Sequence, residues 1–171
     1  MGTKKVMWVL FGIFLISAWV LGSTIQAGAE TMNFRAYTYV VKAEEVLIED
    51  VEGHTLALET RRGFSVLENG EVATSIVYIM GDYIKTVGSN ISYSTLTFAD
   101  GSTIIIRRQA MVTAGTSASA GIKGEIIKGT GRFAGIKGTY TSKMKFLPLE
   151  KGEIGRKTFG ESTITYTLPP K

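Results

Sequence analysis

"AGIKGEIIKGTGRFAGIKGTY", residues Ala120 to Tyr140, decides how the rest of the chain is read. It holds six glycines and says Ala-Gly-Ile-Lys-Gly twice, fourteen residues apart. Such a stretch is either a cradle for phosphate or a chain turning sharply between strands. A P-loop places a lysine directly after its second glycine and opens a helix. Here Gly135 is followed by Ile136, and Lys137 by Gly138. A dinucleotide fingerprint has two residues before its last glycine; three separate Gly131 from Gly135. Beyond the glycines, Tyr140, Met144 and Phe146 alternate with Thr139, Thr141, Lys143 and Lys145, which is the period of a strand. The stretch therefore reads as hinges of a sheet. Gly129, Gly131, Gly135 and Gly138 allow positive φ and close backbone approach, with Arg132 and Phe133 presented by the loop or tucked under it.

Working outward, the same period recurs. Ile164, Tyr166 and Leu168 share one face and three threonines the other. Strands are predicted over 34–41, 55–61, 64–68, 72–80, 91–98, 103–111, 121–128, 139–146 and 163–168. Asn69-Gly70 and Asp100-Gly101 predict hairpins with type I′ turns. Residues 43–51 fit either a strand or a short helix. No long amphipathic helix is present, so eight to ten short strands suggest a closed antiparallel barrel or a sandwich. Residues 76–80 and 103–106 are apolar on both faces, which implies that another subunit, a loop or a terminus covers part of the outer wall.

The N-terminus reads as an address. Lys4 and Lys5 precede an uncharged apolar run from Val6 to Leu21, and Ala27-Gly28-Ala29 supplies a small-x-small cleavage site. Sixteen residues are short for a membrane span, which needs ~20. We read 1–29 as a signal peptide, with an uncleaved anchor as the alternative, and 30–171 as one secreted or periplasmic domain. The domain retains 17 basic and 15 acidic residues, net +2, with its arginine pairs scattered among acids. That pattern argues against nucleic-acid binding. The chain has no cysteine and one histidine, which removes thiol nucleophiles, cysteine-based zinc sites and sites needing two histidines; no metal or cofactor is expected.

Several residues carry chemistry in principle. His54 opens a strand and is read as making a local turn hydrogen bond rather than acting as a base. Glu59 is placed outside, because Leu56 and Leu58 claim the inner face. Ser65, Ser75 and Ser117 lie in no nucleophile elbow. Asn90-Ile91-Ser92 matches a glycosylation acceptor and is expected in a loop. Tyr93, Tyr140 and Tyr166, with Met144, are the candidate ligand-binding set, since tyrosines join an apolar body to a polar tip. The alternative is that they simply fill the barrel.

"KGTGRFAGIKGTY", Lys128 to Tyr140, resembles the glycine segment of the allene oxide cyclase-like and dirigent superfamily. The flanking "EGHTLALETRRGFSVLENGEVAT" and "LTFADGSTI" look like exported bacterial members of unknown role. The resemblance implies an eight-stranded antiparallel calycin-like barrel, often trimeric, with an apolar cavity for a lipid-like or phenolic guest. Family members cyclise an unstable fatty-acid epoxide or steer phenoxy-radical coupling, largely by orientation. The glycine segment carries over no catalytic residue. The expected function is an exported barrel binding a small hydrophobic or amphipathic molecule. The alternatives are an isomerase or cyclase of that kind, a dirigent-like orienting protein, or a structural envelope protein that binds partners with its outer faces.

Overall fold

The computed structural model describes residues 28–113 and 119–170. Eight strands close into one antiparallel barrel in sequence order: β1 (Glu30–Ile48), β2 (His54–Leu67), β3 (Val72–Ile84), β4 (Val87–Phe98), β5 (Thr103–Val112), β6 (Ser119–Gly129), β7 (Lys137–Phe146) and β8 (Thr158–Thr167). Every strand pairs with its sequence neighbours, and β8 closes on β1 with Glu30 opposite Tyr166. Closure leaves no free edge along the sheet. The expected all-β, eight-stranded barrel is the fold. Residues 43–48 belong to β1, and the two segments predicted at 55–61 and 64–68 run together as β2.

Both expected hairpins form, but with a different turn. Gly70 and Gly101 adopt positive φ (84° and 81°), whereas Asn69 and Asp100 do not. The Asn69 and Asp100 carboxamide and carboxylate oxygens instead accept the N–H two residues on, from Glu71 at 3.0 Å and Ser102 at 2.9 Å. That local bond holds each at negative φ, so the turns close with one glycine bulge rather than a left-handed pair. The left-handed pair sits between β3 and β4, at Lys85 (φ 51°) and Thr86 (φ 74°), where the sequence offers no glycine.

The glycine segment is the barrel's lower closure. A single 3-10 turn, Gly131–Phe133, folds across that end, with Gly131 and Gly135 at positive φ. A side chain at Gly129 would place its Cβ 2.2 Å from the Phe133 carbonyl oxygen, which explains the residue chosen there. Phe133 is buried, its ring 4.8 Å from that of Phe98. The Arg132 guanidinium lies 4.8 Å from both ring centroids and bonds Glu71 at 2.6 Å. The outer residue of the dipeptide clamps the inner one. Phe34, Leu67, Leu96, Ile104 and Ile164 complete this apolar plug.

Candidate functional site

The strands carry the barrel from an apolar end to a polar one. On β5, Ile104 and Ile106 face the plug, and the next inward residue is Arg108, followed by Ala110. On β2, Leu67 and Ser65 give way to Arg61, Glu59 and Ala57. Between plug and opening lies a waist of hydroxyls: Ser65, Ser75, Ser94, Ser142 and Ser162 are all buried. Tyr140 donates to Ser162 Oγ at 3.0 Å, Ser162 to Ser142 at 2.9 Å, and Ser142 to the Glu161 carbonyl at 2.9 Å. The chain of donors satisfies groups that would otherwise be costly to bury.

Above the waist the barrel opens into a cavity of about 520 Å³. That lies inside the usual ~300–1,000 Å³ of small-molecule sites. Its floor is Thr38, Val77, Arg108 and Met144, which it shares with a much smaller void of about 20 Å³ beneath. Its wall carries Ile79, Ala110, Val112 and Phe146; Tyr83 and Asn90 also line it. The interior is therefore mixed, not the wholly apolar space that the resemblance implied: two arginines are buried in it, Arg61 at 6% and Arg108 at 7% exposure.

The two arginines differ. Arg61 is bonded through all three nitrogens: Nη1 bonds Glu59 Oε2 at 2.8 Å, Nε bonds Thr38 Oγ1 at 3.2 Å, and Nη2 donates to the Arg156 carbonyl. It anchors the 147–157 connection against the barrel, where Gly155 approaches Val40 too closely for any side chain. Arg108 donates from Nε to Ser92 Oγ at 3.2 Å and lies 5.7 Å above the Tyr140 ring. Among the described residues no carboxylate pairs with it and its Nη groups have no acceptor.

The mouth is tied by the β1–β2 and β3–β4 turns. His54 bridges Asp50 (Nδ1 to Oδ1, 2.6 Å) and Asp82 (Nε2 to Oδ1, 2.9 Å). The Asp50 bond raises the His54 pKa above the ordinary imidazole value, Asp82 adds to the effect, and partial desolvation opposes it. The same bond lowers Asp50. Lys85 N–H donates to the Gly53 carbonyl at 2.9 Å, and its ammonium lies 3.3 Å from Glu52. Burial pushes the Tyr83 phenol up, while Asn90 donates to its oxygen at 3.1 Å.

The sequence-derived candidates separate along this axis. Met144 lines the cavity. Tyr140 lies under Arg108 and lines the smaller void. Tyr166 belongs to the plug and donates to Glu30 at 2.7 Å; burial first, then that carboxylate, raises its phenol to about 12. Tyr93 is on the outer wall, 39% exposed and opposite Tyr78. His54 does make the local turn bond, with a second across the barrel wall.

Glu59 corrects the reading of β2. It faces the cavity beside Arg61, while Leu56 and Leu58 are exposed outside. Asn90 is likewise in β4 and lines the cavity rather than lying in a loop. Ser65 and Ser75 point inward, and Ser117 lies outside the described residues. Arg61 and Arg108 were missed as site residues. For Arg108 half a signal was present: alternation sets it on one face with Ile104 and Ile106, but residues 103–106 are apolar on both faces, so which face turns inward was open.

A closed eight-stranded barrel, plugged at one end and hollow at the other, is the architecture that defines the class of protein. The chain matches the solved structure of the pterocarpan synthase dirigent protein GePTS1 with a TM-score of 0.51 at 16% identity, over 90% of this chain and 96% of that one. The pterocarpan synthase dirigent protein PsPTS1 aligns with a TM-score of 0.49 at 16% identity, over 84% and 97%. No family model and no curated protein matches the sequence. The resemblance expected from the glycine segment holds as fold: the chain has the dirigent-type barrel.

Proposed function

We propose that the protein is an exported barrel that holds one small amphipathic molecule in its open end. The observation that carries this reading is the contrast within one interior, packed around Phe98 and Phe133 yet hollow by about 520 Å³ above Met144. A barrel with no guest has no need of that hollow, because filling it with side chains would stabilise the fold. Export is supported by the apolar run and cleavage site at 1–29, of which 1–27 lie outside the described residues; β1 begins at Glu30. Among the described residues no helix is long and apolar enough to cross a membrane. The test is native mass spectrometry of the protein from its own source, followed by binding of hydrophobic probes to the stripped barrel. A co-purifying small molecule or a saturable probe supports the reading, and neither appearing overturns it.

The second reading is dirigent-like steering of a reactive guest, favoured by the shared fold. Turnover or stereocontrol that disappears when Ala110→Trp fills the cavity would favour it over passive carriage. A homotrimer is part of the proposal. What supports it is the apolar outer wall, where Leu58 pairs with Met80 and Tyr78 with Tyr93, all exposed. Light scattering at micromolar concentration tests it; a monodisperse monomer would return that face to other partners.

A further inference from the structure

We propose that Arg108 is the seat for a carboxylate, so that the guest is an amphipathic organic acid that enters with its charged head inward. The inference rests on the cavity reading above and names the chemistry of the guest. A guanidinium taken out of water is expensive unless a counter-charge and full hydrogen bonding compensate it. Arg61 shows what compensation looks like in this barrel, with Glu59, Thr38 and a carbonyl on its three nitrogens. Arg108, equally buried, has one hydroxyl and one ring face. Only Ser75 Oγ is a fully sealed side-chain polar atom without a partner among the described residues. The Arg108 Nη groups are therefore not sealed into protein, and Arg108 lines both the cavity and the small void beneath it.

The fixed parts of the residue favour a planar anion. Ser92 on Nε and the Tyr140 ring at 5.7 Å hold the guanidinium in one orientation, leaving its Nη edge for the guest. Two parallel N–H groups on a rigid fork match the two oxygens of a carboxylate. The rest of such a guest would lie toward the mouth along Val77, Ile79, Ala110, Val112, Ile122 and Phe146. Of the two acids that line the cavity, Glu59 is already committed to Arg61 and Glu45 is exposed to solvent.

Isothermal titration of the full barrel with biphenyl-4-carboxylate and the isosteric biphenyl-4-carboxamide reads the charge preference directly. The carboxylate is expected to bind about 10- to 100-fold more tightly, as for a charge-assisted pair. The preference should vanish in Arg108→Gln and survive in part in Arg108→Lys. Equal affinities in the unaltered protein, no binding of the carboxylate, or a preference that persists in Arg108→Gln overturns the seat. Whether the carboxamide still binds then tells whether the cavity reading falls with it. A crystal structure of the carboxylate complex needs no variant to fold: oxygens on the Arg108 Nη groups are expected, and a carboxylate at Lys85 on the rim overturns the proposal.

Discussion

The two ends of this barrel are built from the same eight strands and solve opposite problems. At the lower end Phe133 is tucked under a 3-10 turn, against Phe98, and Arg132 spans both rings from outside. At the upper end two turns are laced at the rim by His54 and Lys85, the 147–157 connection is anchored on Arg61, and the space between strands stays hollow. The difference teaches that stability and site have been separated along the barrel axis. Apolar burial at one end supports polar, incompletely paired groups at the other, where a tightly packed core would leave no room for a guest.

That division can be broken most forcefully at the plug. Phe133→Ala removes a buried ring from its stack and should cost about 3–5 kcal/mol of unfolding free energy, read by urea denaturation. If the cost is under about 1 kcal/mol, the lower end is not the stabilising end.

The arginines sharpen the comparison. Arg61→Met strands Glu59 and frees the Arg156 carbonyl, and should destabilise by about 2–3 kcal/mol, reduced from the full cost of a broken buried pair because Glu59 remains partly exposed. Arg108→Met strands no carboxylate and should be neutral or stabilising by about 1 kcal/mol. Calorimetry of both variants checks the sign; equal losses would make Arg108 a structural residue like its neighbour.

A smaller effect is expected at the rim. Lys85 and Thr86 hold a left-handed pair without glycine, and a β-branched residue at φ 74° is strained. The double change Lys85→Asn, Thr86→Gly suits a type I′ turn and should stabilise by about 1 kcal/mol, raising Tm.

The slightest effect is in pH. His54 is raised, so the stability its clamp contributes is complete below the unfolded pKa of about 6.5 and fades as pH climbs through the higher folded value. Asp50 is lowered, so its share is present above its usual carboxylate range and is lost as pH falls through the depressed value. Thermal melts across neutral pH should show a decline that His54→Gln abolishes.

Much of the fold was legible because strand period and turn chemistry are local. Ile164 and Tyr166 alternate with threonines, and the glycines at 129–138 mismatch both phosphate motifs, so an antiparallel sheet with a glycine closure followed directly. The positions of both glycine hairpins were readable too, though not their turn type, which the Asn69 and Asp100 side chains settled by accepting the backbone N–H of Glu71 and Ser102. The site was less legible. Leu56 and Leu58 looked like core beside Glu59, yet they line the outer wall while Glu59 meets Arg61 inside.

The sequence alone determined the alternation, the sheet and the glycine closure, because each depends on residues a few positions apart. Only the tertiary structure decided which face of β2 and β5 turns inward at each height of the barrel. A strand's two faces are equivalent until the sheet rolls up; whether the inner one meets aromatic plug or open cavity depends on strands as distant in sequence as β1 and β8, where Glu30 pairs with Tyr166. Arg108 is therefore an ordinary basic residue in the chain and, in the fold, a buried cation with no carboxylate beside it among the described residues.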